Sequence, residues 1–122
     1  MERNNIITLE NNVEWDSLYN SDKKLVVDFT ATWCGPCQHI APVFKDLSDE
    51  FKDLTFIKVD VDKFEDIVTD MNISCMPTFH FIYNQKILNT LSGAGADEDE
   101  LKKYTLLLNE YLDHNSDSSL ED

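Results

Sequence analysis

Glycine, proline and cysteine are scarce in this sequence, with three of each among 122 residues. So few glycines and prolines exclude a collagen-like chain and a low-complexity linker. Three cysteines are an odd and small number, unlike the dense, even sets of small secreted scaffolds. The cysteine count therefore favours a reducing compartment, and we expect a cytoplasmic protein.

Long apolar runs and basic residues are also scarce. No apolar run approaches the ~20 residues that a membrane-spanning helix requires. The first ten residues lack the apolar core of a cleaved secretory signal. Ten Lys and Arg stand against 24 Asp and Glu, which gives a formal net charge of −14. Because this charge repels phosphate, we expect no nucleic acid or membrane partner, and basic partners are favoured.

The length and the apolar pattern predict one α/β domain over residues 1–113. The run at 24–30 is almost continuously apolar, which is typical of a strand covered on both faces. The segments 78–83 and 86–91 flank two turn residues and predict an antiparallel hairpin. The other strands are expected at 5–9 and 54–61, and the helices at 13–19, from about Cys37 to 51, at 64–71 and at 97–112. Residues 114–122 are polar and acidic, and we expect them to be a disordered tail.

Two cysteines, Cys34 and Cys37, stand three residues apart where a buried strand gives way to a helix. Residues at this spacing in a first helical turn have Cα atoms ~5–6 Å apart, within disulfide range. Unpaired N–H groups and the helix dipole stabilise an anion there, so Cys34 is expected to favour the thiolate. Cys37 lies one turn inside and can attack only a sulfur already joined to Cys34. The spacing therefore predicts an attacking and a resolving cysteine.

Two other interpretations of this pair remain open. A zinc site needs about four ligands, which Cys75, His39 and His80 would have to complete, and only the spacing of Cys34 and Cys37 supports it. Two inert structural thiols are the other alternative, against which the Trp-Cys-Gly-Pro-Cys segment argues. We therefore expect redox chemistry and no metal.

A carboxylate interrupts the apolar strand at Asp28. Burial of an unpaired carboxylate is costly, so the pKa of Asp28 is expected to rise. Lys58, in the next predicted strand, is the partner expected to lower the cost of this burial. The alternatives are that Asp28 lies at a strand end in solvent and that Lys58 is an ordinary exposed lysine.

The segment Ala31-Thr32-Trp33-Cys34-Gly35-Pro36-Cys37 is the most specific mark of the thioredoxin family, which residues 5–112 resemble. Further marks of that family are Asp28, Pro42, Lys58, Asp60, Met76-Pro77-Thr78 and Gly93. Cys75 and the phrase Val59-Asp60-Val61-Asp62 resemble the cytosolic proteins of eukaryotes in particular. The resemblance implies the thioredoxin fold, with a central mixed β-sheet flanked by helices on both faces, and a dithiol–disulfide reductase.

The resemblance also implies roles around the cysteines. Asp28 would take the proton of the Cys37 thiol during exchange. Trp33 would be a partly exposed platform for the substrate, whereas large aromatics are more often core residues. Gly35 and Pro36, between the cysteines, would contact the substrate.

A second implied contact lies in the loop before 78. Pro77 would be cis, although most X–Pro bonds are trans. The backbone of Met76 would then face the sulfurs, and an extended substrate segment could pair with it as an added strand. Gly93 would allow close approach of that segment; its alternative is an ordinary loop glycine.

Two residues depart from the family pattern. Gln38 stands where the family often has lysine or arginine, which removes a positive charge near Cys34. Recognition of acidic substrates or of a standard reductase is expected to suffer from this loss and from the acidic composition. Gln85 replaces the usual hairpin glycine, where a positive φ is wanted.

Partners follow from the resemblance. It implies no bound cofactor beyond the redox-active disulfide, with electrons from NADPH arriving through a thioredoxin reductase. The clients would be disulfide-containing proteins such as peroxiredoxins or reductases, and the protein a monomer. Cys75 is interpreted as a free thiol; the alternative is a regulatory thiol that forms a glutathione adduct or a Cys75-linked dimer.

The sequence thus predicts a general protein-disulfide reductase of the thioredoxin type. One alternative is a dedicated or oxidising thioredoxin-like protein with a single client. Another is a non-catalytic subunit that uses the fold as a binding platform, against which the intact Cys34/Cys37 pair argues.

Overall fold

A five-stranded mixed β-sheet forms the centre of the computed structural model, which describes residues 5–112. The strands are β1 (Ile6–Thr8), β2 (Leu25–Thr30), β3 (Thr55–Asp60), β4 (Thr78–Tyr83) and β5 (Lys86–Ser92). The helices are α1 (Asn12–Tyr19), α2 (Gly35–Glu50), α3 (Glu65–Asp70) and α4 (Glu98–Glu110). The predicted α/β order is confirmed, and the element ends agree to within two residues. The sequence reasoning missed a 3₁₀ turn at Gly93–Gly95, and the predicted tail, 114–122, lies outside the described residues.

The strand order across the sheet is β1-β3-β2-β4-β5. Strands β1, β3 and β2 run parallel, whereas β4 is antiparallel to both β2 and β5. All six residues of β2 are buried, as its apolar run predicts for a strand with both faces covered. Because β2 is central and leads directly to the cysteines, the most buried strand of the sheet positions the reactive pair.

Each face of the sheet has its own hydrophobic core. One core packs Trp15 of α1 and Ile67 of α3 against the sheet. The other packs Phe44 of α2 and Leu101 of α4 against the opposite face. The predicted arrangement, a sheet flanked by helices on both faces, is confirmed.

The hairpin between β4 and β5 turns at Asn84 and Gln85, as the sequence predicts. Both residues have positive φ, 54° and 60°, which suits asparagine better than glutamine. Contacts with α1 hold Gln85 in place: its side chain donates to the carbonyl oxygen of Tyr19 at 3.1 Å, and the Tyr19 hydroxyl donates to its carbonyl oxygen at 3.2 Å. Tertiary hydrogen bonds thus stabilise a turn that lacks the usual glycine.

A histidine is buried in β4. His80 is 4 % exposed, and its ring meets that of Phe29 edge to face at 5.1 Å. Its Nδ1 has no hydrogen-bond partner. Burial in this apolar site lowers the pKa of His80, because the charged imidazolium loses its hydration.

Replacing His80 by leucine is expected to reduce the fall in the free energy of unfolding at acid pH. Below pH ~6.5 the unfolded chain binds a proton at His80 that the folded protein does not, so the wild-type free energy of unfolding falls as pH falls. The difference between variant and wild type should change by up to ~1.4 kcal/mol per pH unit in this range. Urea unfolding from pH 7 to 5 measures it, with the exposed His39→Gln as control. Parallel profiles for wild type and H80L would contradict it.

Candidate active site

The two motif cysteines are joined in a disulfide at the start of α2. Their Cα atoms are 5.3 Å apart and they are separated by three positions in sequence, so the predicted disulfide distance is confirmed. Cys34 is the N-cap of α2, and its sulfur accepts a hydrogen bond from the backbone N–H of Cys37 at 3.2 Å. Pro36 lies in the first helical turn, where its missing N–H leaves no bond unmade. The helix thus begins with a donor aimed at the Cys34 sulfur.

The sulfurs lie below an exposed surface. Cys34 is 6 % exposed and Cys37 only 2 %, whereas Gly35 and Pro36 between them are exposed. Trp33 is 66 % exposed, so the interpretation of this side chain as a core residue is wrong. The pair is therefore reached from the side that carries Trp33, Gly35 and Pro36.

The indole of Trp33 is held by a residue that sequence reasoning did not single out for this site. Its Nε1 donates to Oδ2 of Asp62 at 2.8 Å. Asp62 comes two residues after β3, and Trp33 comes three residues after β2. Because the carboxyl ends of these parallel strands meet at one edge of the sheet, their positions were the signal that could have placed the two together.

Asp28 is buried in the centre of β2. It is 2 % exposed, and its Oδ1 has no hydrogen-bond partner, so the alternative of a carboxylate in solvent is wrong. Loss of hydration raises the pKa of Asp28 to about 7, and the positive charge of Lys58 opposes this rise. The carboxyl group is therefore half protonated near neutral pH.

Lys58 is the register partner of Asp28 on β3. It is half-buried, and the two side chains are not in direct ion-pair contact. Lys58 also lines a cavity of about 220 Å³ together with Gln38 and Asp60. The alternative of an exposed lysine is thus wrong, and the lysine connects the neighbourhood of Asp28 to this cavity.

The carboxyl group of Asp28 faces α2. Side chains alternate along a strand, so Asp28 shares a face of β2 with Val26. Val26 packs in the same core as Ile40 and Phe44 of α2. Since α2 begins at the cysteines, Asp28 lies on the side of the sheet that carries them.

A second loop contributes to the site. The Met76–Pro77 peptide bond is cis, as the resemblance implied, so the trans alternative is wrong. The carbonyl oxygen of Pro77 accepts a hydrogen bond from the N–H of Gly93 at 3.0 Å. Gly93 has φ +57°, and a Cβ built on it would lie 3.7 Å from the sulfur of Cys75. The positive φ of Gly93 is a backbone conformation that favours glycine.

Four of the predicted substrate-binding residues share one groove. It has a volume of about 660 Å³ and is lined by Gly35, Pro36, Pro77 and Gly93, whereas Trp33 and Met76 are not among its lining residues. The further lining residues, which sequence reasoning did not assign to substrate binding, are His39, Ile40, Val43, Ala94, Ala96, Asp97 and Glu98. The α2 residues among them follow Gly35 and Pro36 at helical spacing, a signal that could have found them.

The residues of the alternative zinc site do not come together. Cys34 and Cys37 are bonded to each other, Cys75 is exposed and His80 is buried in the core. Within residues 5–112, no three or more His, Cys, Asp or Glu are grouped to hold a metal ion.

None of the helices within residues 5–112 is long and apolar enough to cross a membrane.

Known proteins are similar to this chain in sequence and in fold. The thioredoxin family model matches residues 6–106. A thioredoxin from Ictalurus punctatus is 50 % identical over 84 residues, which cover 67 % of this chain and 77 % of the relative. Thioredoxin H2 from Arabidopsis thaliana is 37 % identical over 105 residues, covering 83 % of this chain and 79 % of the relative.

Solved structures agree with the sequence relatives. Thioredoxin NaTrxh from Nicotiana alata superposes with a TM-score of 0.81 at 34 % identity, covering 90 % of this chain and 97 % of that one. A cysteine pair at disulfide distance lies at the start of α2 in the same fold. The chain therefore belongs to the thioredoxin family and is a thiol–disulfide oxidoreductase.

Proposed function

We propose that the protein reduces the disulfide bonds of other proteins and receives its electrons from NADPH through a thioredoxin reductase. The observation that carries this proposal is the position of Cys34 at the N-cap of α2. There its sulfur accepts the N–H of Cys37 and lies at the positive end of the helix dipole. Both features stabilise a thiolate, and a thiolate favours the reduced form of the pair.

In the first step, the Cys34 thiolate attacks one sulfur of the client disulfide. The client S–S bond breaks, a Cys34–client bond forms, and the other client sulfur leaves as a thiolate. Cys34 takes this role because it is the less buried of the two residues and its sulfur carries the stabilised charge. The step is balanced in electrons. An electron pair of the Cys34 thiolate forms the new bond, and the electron pair of the broken client bond leaves with the client thiolate.

In the second step, Cys37 attacks the Cys34 sulfur. The mixed disulfide breaks, the client leaves with its second thiolate, and the Cys34–Cys37 bond forms. Cys37 is a thiol before this step, and we assign its proton to Asp28, whose carboxyl group faces α2. A base with a pKa of about 7 accepts and releases a proton near neutral pH. Lys58 and the cavity that it lines together with Gln38 and Asp60 offer this proton a route to solvent.

The client would lie across the exposed surface around the disulfide. Trp33 offers an exposed aromatic face, and the backbone of Met76 and Pro77 an edge for an extended segment. Gly35 and Gly93 leave room for its close approach; a Cβ on Gly35 would meet nothing within 4 Å in this chain. A larger side chain at position 35 would therefore clash only with a bound client and not with this chain.

We infer a monomer whose domain spans 1–113 and which acts in the cytoplasm, with peroxiredoxins and other reductases among its clients. Cys75 is assigned as a free thiol. Its exposed sulfur lies beside Gly93, so an adduct or a Cys75-linked dimer would cover the surface where clients bind. Regulation by oxidation of Cys75 is the alternative.

The reduction potential of the Cys34–Cys37 pair tests the proposal. We expect a value near −270 mV, the value of thioredoxin itself, when the pair equilibrates in a thiol–disulfide buffer. Trp33 fluorescence reports the state of the pair, because its indole lies next to it in sequence and is exposed. A value between about −180 and −120 mV would instead indicate an oxidase or isomerase. The absence of a two-electron transition would leave only a binding platform.

A further inference from the structure

We propose that the groove beside the disulfide selects client segments that carry a lysine or arginine close to the cysteine under attack. This inference rests on the proposed reductase function and names the class of client that the groove takes. It follows from the shape of the groove, its apolar lining and the charge at one end.

The groove lies beside the reactive pair. Gly35 and Pro36, the residues between the two cysteines, line it. Its volume of about 660 Å³ lies within the range of ~300–1,000 Å³ typical of ligand sites. Because Gly35 directly follows Cys34, a client attached to Cys34 has the groove next to its chain.

Much of the groove lining is apolar. Ile40 and Val43 of α2 line the groove, and so do Ala94 and Ala96 of the loop after β5. These aliphatic and small side chains share the groove with the start of α4. A client side chain with a long hydrocarbon stem would bury that stem here.

The end of the groove that the start of α4 forms is acidic. Asp97 and Glu98 line it, and both are exposed. No lysine or arginine is among the groove-lining residues that the structure describes. The only other ionisable side chain of the lining is His39.

The charge of Asp97 is the less compensated of the two. Glu98 pairs with Lys102 at 2.9 Å, whereas Asp97 forms none of the ion pairs found within residues 5–112. Asp97 caps α4 by accepting the N–H of Glu100 at 2.9 Å, so the helix N-terminus offsets part of its charge. Three acids in the first turn of α4 oppose that offset and keep the end of the groove negative.

A lysine or arginine side chain fits these features together. Its hydrocarbon stem matches the apolar lining, and its charged head complements Asp97 and Glu98. A leucine would match the stem region only, and a glutamate would meet repulsion at Asp97. The net charge of −14 attracts basic segments over longer range and adds to the same preference.

Three synthetic peptides test the proposal. Each contains one intramolecular disulfide and is identical except for arginine, leucine or glutamate two residues from the attacked cysteine. The second-order rate constant is measured by mixing pre-reduced protein with peptide and following Trp33 fluorescence. The variant D97N/E98Q removes both charges, and the asparagine that replaces Asp97 still caps the helix.

A control variant, D22N/D53N, removes the same number of charges elsewhere. Asp22 and Asp53 are exposed and line a cavity before the start of β2 and β3. The cysteines follow the other end of β2, which is about 20 Å away for a strand of this length. The control therefore keeps the change in net charge and leaves the groove intact.

We expect the wild type to reduce the arginine peptide roughly fivefold faster than the glutamate peptide at low salt, with leucine between them. This ratio should fall to below about twofold in D97N/E98Q and stay unchanged in D22N/D53N. Equal ratios in the wild type and D97N/E98Q, or a wild type that prefers leucine or glutamate, would overturn the proposal.

A small neutral disulfide, bis(2-hydroxyethyl) disulfide, separates the two levels of the proposal. The wild type and D22N/D53N should reduce it at the same rate. Normal reduction of it together with equal peptide rates overturns the groove selectivity alone. Failure of the wild type to reduce any of the disulfides overturns the reductase function, and the selectivity with it.

Discussion

Replacing Cys37 by serine is expected to leave the protein covalently attached to its clients. Cys34 still attacks and forms the mixed disulfide, but no second thiol can resolve it. Turnover should fall by at least about a thousandfold, since each molecule reacts once. Non-reducing electrophoresis and mass spectrometry of the purified Cys37→Ser protein with a disulfide-containing client measure the adduct, which a reductant should release.

Two matched variants give this experiment its controls. Cys34→Ser should form no adduct, because the buried Cys37 sulfur, 2 % exposed, cannot reach a client. Cys75→Ser should turn over as the wild type does. If Cys34→Ser captured clients and Cys37→Ser did not, the attacking and resolving roles would have to be exchanged.

Replacing Asp28 by asparagine is expected to change the dependence of stability on pH. Below pH ~4 the carboxyl group is protonated in both the folded and the unfolded states, so it carries no charge penalty. Between pH 4 and about 7 the unfolded chain loses this proton while the folded protein keeps it. The wild-type free energy of unfolding therefore falls as pH rises through this range, by about 4 kcal/mol in total.

The Asp28→Asn protein lacks this loss. Relative to the wild type, its stability should increase by about 4 kcal/mol from pH 4 to pH 8. The free energy of burying the asparagine amide does not depend on pH, so it cancels when the stabilities at the two pH values are compared. Urea unfolding of the oxidised proteins measures it, since neither Cys34 nor Cys37 titrates in the disulfide state. The exposed Asp53→Asn should follow the wild type, and parallel profiles for the Asp28 variant would show that its pKa is not raised.

The same substitution should slow the resolution of the mixed disulfide. Asparagine cannot accept the Cys37 proton, so the second step should slow by about 10²-fold near pH 7. Stopped-flow fluorescence with excess client separates this step from the first. A variant with unchanged resolution would leave Asp28 without a role in proton transfer.

The reactive pair and the hairpin were predictable from the sequence because local signals specify them. Helical spacing alone brings the Cα atoms of Cys34 and Cys37 to 5.3 Å, and short apolar segments around Asn84 predict two antiparallel strands. The cis bond before Pro77 is different. Nothing local favours it, since X–Pro bonds are mostly trans, and only the family resemblance implied it.

The end of the groove was not predictable in the same way. Asp97 and His39 line one groove although 58 positions separate them, and no local pattern specifies which loop the packing of α2 and α4 brings beside the disulfide. From the sequence, Asp97 was predicted only to begin the last helix. The hydrogen bond between Trp33 and Asp62 also joins two strand ends, so it requires the sheet order as well as the sequence.

The short span of the disulfide separates its chemistry from the stability of the fold. The bond links residues three positions apart, so the loop that it closes restricts the unfolded chain by only about 2 kcal/mol, against about 4.7 kcal/mol for a loop of 100 residues. Opening the bond therefore removes little of what keeps the chain folded, and two cores on either side of the sheet remain intact. The cysteine pair can therefore take up and release two electrons while the chain stays folded.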